Sequence, residues 1–168
     1  REMEGYIPSK EEFSNVMDAR FTPEVYERLK AGRVGIAGLG GLGSHVAVML
    51  ARSGVEHLHL VDFDKVDLSN LNRQEYRIGH LGRYKTEALR EQLLEINPYL
   101  DITLDCQLVT EDNAAELFKD DDIICVAFDK AENKAMLAEA LLSAWPEKKL
   151  VSGSGMAGFE SSNDIKTR

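Results

Sequence analysis

Cysteine is scarce in this sequence, and its spacing matches no known motif. The 168 residues contain two cysteines, Cys106 and Cys125, which do not have the C-x-x-C spacing of zinc or redox sites. Both fall in apolar runs typical of strands, where thiols are usually inert. We therefore expect two reduced strand cysteines, no disulfide framework and no zinc centre.

Positive charge is also in short supply. Lys and Arg total 20 residues against 29 Asp and Glu residues, which gives a formal net charge of -9 at pH 7. Binding a nucleic-acid backbone requires clustered cations, so we do not expect nucleic acid as a partner. Any site for an anionic ligand must therefore be local.

Long hydrophobic runs are missing as well. No apolar run reaches the roughly 18 residues that a membrane-spanning helix needs. Residues 1–4 lack the apolar core of a signal peptide. We expect a soluble cytoplasmic protein without a membrane partner. Because the chain starts without Met and ends in the polar run 161–168, we also expect its C-terminal end to be incomplete.

What is present is a regular alternation of strand-like and helical runs from Gly32 onward, with 43% hydrophobic residues to fill one core. This alternation is typical of βαβ units around a parallel sheet. We predict an α/β fold: a Rossmann-like, doubly wound, mostly parallel sheet with helices on both faces. The predicted strands are residues 33–37, 57–61, 101–109, 123–127 and 149–152, and the predicted helices are residues 42–52, 85–96, 112–118 and 131–144.

The first 31 residues form a separate N-terminal helical extension in this prediction, and residues 32–168 form the α/β domain. Apolar side chains recur at helical intervals and predict one or two amphipathic helices. Their stripe packs on the domain's own core, the interpretation we favour, or reaches a second subunit. The stripe consists of Phe13, Val16, Met17, Phe21, Val25, Tyr26 and Leu29.

A glycine-rich turn links the first predicted strand to its helix. Gly38, Gly40 and Gly43 form a G-x-G-x-x-G motif in which the glycines allow a tight turn, close approach of a phosphate and close helix packing. About 20 residues later, Asp62 ends the second strand, where a carboxylate can accept hydrogen bonds from a ribose. The glycines alone could simply form a turn, but the whole arrangement favours nucleotide binding. It does not choose between NAD, FAD, S-adenosylmethionine and ATP.

The stretch from Val61 to Gln74 is unusually polar for a position beyond a strand end, the edge where ligands bind in open α/β sheets. Arg73 can form a fork onto phosphate oxygens, and Lys85 adds a point charge. Each could instead be an ordinary surface cation. Asp129 follows the fourth strand and could bind Mg²⁺ or cap the next helix.

Together these motifs resemble the ThiF and MoeB family, relatives of the ubiquitin-activating enzymes. The similarity lies in G-L-G-G-L-G-S, in V-D-F-D-x-V-D-L-S-N-L-N-R-Q, in G-R-Y-K and in a strand that ends in F-D. It extends from Gly32 to Gly153. The run A-V-M-L-A-R-S-G-V, followed by L-H-L-V-D-F-D, favours the shorter ThiF-type branch.

This resemblance implies adenylation of the Gly-Gly tail of a ubiquitin-like sulfur carrier, ThiS-like and part of thiamine biosynthesis, with Mg²⁺ and ATP. Residues 32–168 would then be the adenylyltransferase domain of a homodimer. Asp62 would hold the ribose, and Asp129 would bind magnesium as a catalytic residue with Arg73 and Lys85. The nucleotide-binding set would be Gly38, Gly40, Gly41, Gly43, Asp62, Asp64, Asn70, Arg73, Gln74 and Lys85.

Some positions depart from the family pattern. Arg20 is all that remains of a motif that provides an arginine to the neighbouring subunit, and it could equally be a surface arginine before a helix that begins near Pro23. Lys130 stands where asparagine is common, and Lys134 where arginine is usual. Three other functions stay open: activation of a tRNA-linked carboxylate, which the acidic charge disfavours, a non-catalytic nucleotide-binding partner, and an NAD-dependent oxidoreductase.

Overall fold

The computed structural model describes residues 3–19 and 21–153. Within these residues, strands and helices alternate after two N-terminal helices. Among the helices so described, none is both long enough and apolar enough to cross a membrane. The elements are α1 (Lys10–Asp18), α2 (Pro23–Ala31), β1 (Arg33–Ala37), α3 (Gly41–Arg52), β2 (His57–Val61), α4 (Lys85–Ile96), β3 (Asp101–Asp105), α5 (Ala114–Leu117), β4 (Ile123–Val126), α6 (Ala131–Ala144) and β5 (Lys149–Ser152).

The five strands form one parallel sheet in the order β3-β2-β1-β4-β5. The chain therefore starts in the middle of the sheet, winds to one edge, then crosses back and winds to the other. This is the doubly wound Rossmann-like order, and it confirms the predicted fold class. The carboxyl ends of all five strands meet at one edge, where the order reverses between β1 and β4.

Each face of the sheet packs against its own helices. On one face, Ile36 and Leu60 pack with residues of α3 and α4 such as Ala47 and Leu89. On the other face, Val61 and Ile124 pack with Leu137 of α6 and with Phe118, which follows α5. The three central strands, β1, β2 and β4, carry buried side chains on both faces, as parallel strands between two helical layers require.

The third strand is shorter than predicted. It ends at Asp105, because β2 is its only neighbour among the described residues, and the last paired residue of β2, Val61, lies opposite Asp105. Without a partner strand, residues 106–109 leave the sheet, and Cys106 is exposed rather than a strand residue. The prediction for Cys106 was therefore wrong. Cys125 does lie in β4, and burial raises the pKa of its thiol, which makes it less reactive.

The predicted helix at 112–118 is also shorter, since α5 spans only Ala114–Leu117. Thr110 and Asn113 form a closed turn before it: the Thr110 N–H donates to Asn113 Oδ1 at 2.8 Å, and the Asn113 N–H donates to Thr110 Oγ1 at 3.3 Å. Side-chain bonds of this kind compete with the helical pattern, so the helix begins one residue after Asn113.

The N-terminal extension contains two helices, α1 and α2, where the sequence predicted one or two. Tyr26 of α2 is buried, and Gly54 lies beside its ring. Near α1, the Tyr99 hydroxyl donates to the Pro8 carbonyl at 2.6 Å. Other stripe residues, including Val16 and Val25, remain exposed, so the stripe is only partly used for core packing. Arg20 and residues 154–168 lie outside the described residues.

Candidate active site

A cavity of about 300 Å³ opens at the carboxyl edge of the sheet, where β1, β2 and β4 end. Six of the residues predicted from the sequence line it together, although they are separated by up to 91 positions, from 38 to 129. This is the place where the topology of an open α/β sheet brings ligand-binding loops together. The six are Gly38, Gly40, Asp62, Asp64, Lys85 and Asp129.

Close contacts within the protein require glycine at two positions of this turn, Gly38 and Gly43. Gly38 has a φ of +93°, and a Cβ there would lie 2.9 Å from the Ala127 carbonyl oxygen. A Cβ on Gly43 would lie 1.8 Å from the Gly38 carbonyl oxygen. The third glycine therefore allows α3 to start directly against the end of β1, which confirms the role predicted for it.

Gly40 differs from these two glycines. A Cβ there would meet only Gln74 Nε2, at an ordinary contact distance of 3.6 Å. Packing within the protein leaves room for a methyl group at this position. Gly40 is also the N-cap residue of α3, where no side chain caps the helix. The first N–H groups of α3 are thus available to an anion, and its positive dipole end favours one.

Asp62 supports the glycine turn. Its Oδ2 accepts a hydrogen bond from the Leu39 N–H at 2.8 Å, and its Oδ1 accepts one from the Asp64 N–H at 2.7 Å. Burial raises the pKa of this carboxyl, while the two main-chain bonds and the charge of Lys85 partly offset that rise. The carboxylate therefore braces the loop as well as lining the cavity.

Lys85 is not an ordinary surface cation, because only 6% of the residue is exposed. It is the first residue of α4, and its N–H donates to the Asp64 carbonyl. Its ammonium group acts on the Asp62 carboxylate through space. A lysine this deeply buried needs an anionic counterpart, and the cavity that it lines provides room for one.

Five predicted site residues are not part of the cavity lining: Gly41, Gly43, Asn70, Arg73 and Gln74. The Arg73 guanidinium donates to the Ser69 carbonyl at 2.9 Å, although the residue lies near Gly41, where an added Cβ would be 3.9 Å from Arg73 Cγ. Asn70 Oδ1 accepts the Asp67 N–H in a capping box. Gln74 is buried near Gly40.

Asp129 is exposed within the cavity lining, one residue before the helix N-cap. The N-cap of α6 is Lys130, so the alternative role of Asp129 as a helix cap is not what the structure shows. Lys130 also lines the cavity. Lys134 Nζ donates to the Gly153 carbonyl at 3.0 Å and ties α6 to the chain after β5. No group of three or more metal-binding side chains occurs among the described residues.

The sequence prediction missed one wall of the cavity. Because residues 106–109 were assigned to a strand, Gln107, Leu108 and Val109 were not expected to line it. The signal was available, since any loop that follows β3 must start at the same sheet edge. Tyr76 was also missed: it is buried, and its hydroxyl donates to the Leu39 carbonyl at 2.6 Å.

Comparison with known proteins finds enzymes with related sequences. The Drosophila virilis protein named adenylyltransferase and sulfurtransferase MOCS3 is 38% identical over 130 residues, which cover 77% of this chain and 28% of that protein. The probable adenylyltransferase/sulfurtransferase MoeZ of Mycobacterium tuberculosis is 36% identical over 119 residues, which cover 70% of this chain and 30% of that protein. The chain thus spans less than a third of either relative.

A solved structure covers more of the chain. The crystal structure of the E. coli tRNA N6-threonylcarbamoyladenosine dehydratase TcdA with AMP superimposes with a TM-score of 0.82 and 25% identity. The match covers 96% of this chain and 68% of that one. Residues 13–163 match the sequence profile of the ThiF family. Because this match covers most of the sequence, the protein belongs to the ThiF family.

Proposed function

We propose that the protein uses ATP to adenylate the C-terminal glycine carboxylate of a ubiquitin-like sulfur-carrier protein and releases pyrophosphate. One observation carries the proposal: an uncapped helix N-terminus, a buried lysine and several carboxylates surround a single cavity. The helix end and Lys85 suit phosphates, whereas the carboxylates suit a ribose and a metal ion. A dehydrogenase would not need a buried lysine and the Asp129 carboxylate beside its phosphate-binding turn.

In the proposed reaction, a carboxylate oxygen of the carrier bonds to the α-phosphorus of ATP, and the bond from that phosphorus to the bridging oxygen breaks. Pyrophosphate leaves with the electron pair. A carboxylate is already ionised at neutral pH, so no general base is required. The protein has to bring two anions together and offset their charge. The start of α3 and Lys85 would do this, joined by Arg73 once its guanidinium turns away from Ser69.

The proposed metal cofactor is Mg²⁺, with Asp129 as its protein ligand. Mg²⁺ commonly takes one or two carboxylates and completes its coordination with phosphates and water. Asp129 and Asp64 both line the cavity, so the available donors fit this ion. When bound, Mg²⁺ neutralises phosphate charge and makes pyrophosphate a better leaving group. Asp62 would accept the ribose hydroxyls with the oxygen lone pairs that its main-chain bonds leave free.

We further propose a ThiS-like carrier ending in Gly-Gly, a place in thiamine biosynthesis, and a cytoplasmic homodimer. Family membership and relatives named as adenylyltransferases and sulfurtransferases support a sulfur carrier. The motif resemblance to the ThiF-type branch supports thiamine biosynthesis. A closed symmetric pair is the commonest kind of assembly.

A second candidate substrate is a carboxylate carried on tRNA. It is supported by the similarity to the E. coli dehydratase, which extends over 96% of this chain. The net charge of -9 argues against it, because tRNA binding depends on clustered cations. Both candidates require the same attack on the α-phosphate, so the substrate distinguishes them rather than the chemistry.

Isotope exchange between pyrophosphate and ATP tests the proposal. Exchange should require a Gly-Gly-ended carrier and should not respond to tRNA, and mass spectrometry should detect the carrier-AMP adduct. Exchange with tRNA alone would favour the second candidate. Titration calorimetry that shows tight NAD binding and no ATP binding would overturn both.

The Lys85→Met variant should lower the exchange rate by about 100-fold, because a donor aimed at transition-state charge is lost. Lys65→Met is the matched control, since Lys65 is an exposed lysine of the preceding loop and does not line the cavity. Asp129→Ala should also abolish exchange while the fold, followed by circular dichroism, stays intact. Full activity of either site variant would remove that residue from the mechanism.

A further inference from the structure

Charged side chains from neighbouring strands form a hydrogen-bonded group on the sheet face that α5 and α6 cover. His59, in the middle of β2, is 2% exposed. Its Nδ1 lies 2.6 Å from Asp121 Oδ2, and its Nε2 lies 2.6 Å from Asp105 Oδ2. Asp121, which precedes β4, is only 1% exposed. One imidazole therefore bridges two carboxylates that are 16 positions apart in the chain, 105 and 121.

The residues around His59 leave room for this bridge and contact its members. Gly35 is its register partner on β1, and a Cβ on Gly35 would lie 2.4 Å from Asp121 Oδ2. The absence of a side chain there leaves room for the carboxylate. Arg33 Nε donates to Asp121 Oδ1 at 2.9 Å, and the Phe118 ring lies over the imidazole at 5.6 Å between centroids.

The protonation state follows from the partners. Both ring nitrogens face carboxylate oxygens, which only accept, so both bonds are made only when both nitrogens carry protons. The charged groups around the ring are Asp121, Asp105 and, through Asp121, Arg33. Lys148 donates to the main-chain carbonyls of Lys119 and Asp121 rather than to a carboxylate. With His59 as an imidazolium, two positive and two negative charges balance. Burial opposes this charge, but the two aspartates outweigh it and raise the pKa of His59.

Asp105 connects this network to the cavity. It is the last residue of β3, and its carbonyl accepts the Asp62 N–H at 3.3 Å. Its Oδ1 accepts from Gln107 Nε2 at 3.3 Å. The next residues, Gln107 to Val109, form the cavity wall that has no partner strand. A side-chain anchor at Asp105 can therefore fix this wall where the sheet ladder has ended.

We propose that His59 is a positioning residue for the nucleotide cavity, which acts through Asp105 to hold the wall formed by Gln107, Leu108 and Val109. His59 does not line the cavity. The inference rests on the proposed function for the identity of the ligand, an adenine nucleotide. Loss of the imidazolium would leave Asp105 without its buried partner and would free the wall to move.

The test compares His59→Gln with His57→Gln. His57 lies two residues earlier on β2, on the same face, and its Nδ1 also lies near a β3 carboxylate, 3.0 Å from Asp101 Oδ2. Its side chain is 38% exposed and lies at the end of the strand away from the cavity. His59→Gln should raise KM for ATP about tenfold and change kcat less, since small misplacements of a binding wall can cost as much as about 100-fold. His57→Gln should change neither.

The dependence of KM for ATP on pH distinguishes a positioning role of His59 from a purely structural one. In the wild type, KM for ATP should rise as the pH increases beyond the ordinary imidazole pKa and His59 loses its proton, and the profile should be flat in His59→Gln. A folded His59→Gln protein with unchanged KM, or with the wild-type profile, would overturn the proposal. So would an equal rise of KM in His57→Gln.

Two measurements keep the proposal testable if His59→Gln fails to fold. Asp105→Asn, which keeps the shape but removes the charge, should accelerate amide hydrogen exchange at residues 107–109. Nitrogen NMR of the wild type should show His59 mainly with protons on both ring nitrogens at about pH 6.5, the ordinary imidazole pKa. A singly protonated ring would refute it. If the wild type neither binds nucleotide nor exchanges pyrophosphate, the proposed function fails, while these two measurements still decide the role of His59.

Discussion

At the centre of the glycine turn, the N–H and the carbonyl of Leu39 each form a hydrogen bond with a side chain. The Asp62 carboxylate accepts the Leu39 N–H, and the buried Tyr76 hydroxyl donates to the Leu39 carbonyl. Burial, and next the nearby charge of Asp62, raise the pKa of Tyr76 far above its ordinary value. The hydroxyl therefore remains a donor at any physiological pH. Two side chains thus orient the backbone that approaches the phosphates.

Tyr76→Phe should loosen this turn and raise KM for ATP about tenfold, since the carbonyl would lose its partner beside the cavity. Tyr99→Phe is the matched control, because the Tyr99 hydroxyl also donates to a main-chain carbonyl at 2.6 Å, that of Pro8, away from the cavity. Each variant should lose about 1 kcal/mol of unfolding free energy in urea titrations. Equal effects on KM would contradict a specific role of Tyr76.

Some site residues could be identified from the sequence because chemistry and position agreed. Lys85 and Asp129 are charged residues placed next to predicted strand or helix ends, and both line the cavity. His59 could not be identified in this way. In the sequence it is a polar residue inside an apolar strand, and its partners Asp105 and Asp121 become neighbours only through strand order and register. Pairwise contacts of this kind need the assembled sheet.

Strands and helices differed in how well their ends could be predicted. β1, β2, β5, α4 and α6 have the predicted bounds. For α4, the apolar pattern stops at Asn97-Pro98, a sequence that ends helices. The end of β3 depends instead on where its neighbour stops, since a strand needs a partner for its main-chain bonds. That information is not local to residues 101–109. The error hid the cavity wall, so a misplaced strand end became a missed part of the site.

Two glycines at the junction of β1 and α3, Gly40 and Gly43, have different roles. Gly43→Ala should destabilise the protein by about 1 to 3 kcal/mol, because its methyl group would overlap the Gly38 carbonyl. Gly40→Ala should leave stability within about 0.5 kcal/mol, since the protein has room for it, yet weaken ATP binding by blocking the phosphates. Chemical denaturation and nucleotide titration of both variants check this. Unchanged ATP affinity in Gly40→Ala would argue against phosphate binding at this turn.

The charge of the whole molecule is strongly negative, with a sequence pI near 5.0, yet the charges around the buried His59 and Asp121 are balanced. Arg33 and His59 face Asp121 and Asp105 within one network. An unpaired buried charge costs far more than a paired one, so the folded state depends on this balance. Changes in surface charge are screened by salt, whereas loss of the His59 proton is not.

Global stability should therefore fall between about pH 6.5 and about 8, since the folded state holds a proton on His59 that the unfolded chain releases. A pKa raised by folding contributes stability that is complete below the unfolded pKa and is lost as pH rises through the folded pKa. The slope should not exceed about 1.4 kcal/mol per pH unit, because one proton is involved.

Urea unfolding across this range should show the decline in the wild type and in His57→Gln, and a flatter curve in His59→Gln. The window ends at about pH 8 because the unfolded chain's cysteine thiols begin to ionise there and would add a decline of their own. A wild-type curve that is level throughout would mean that the buried imidazole is neutral and that the charge balance is set in some other way.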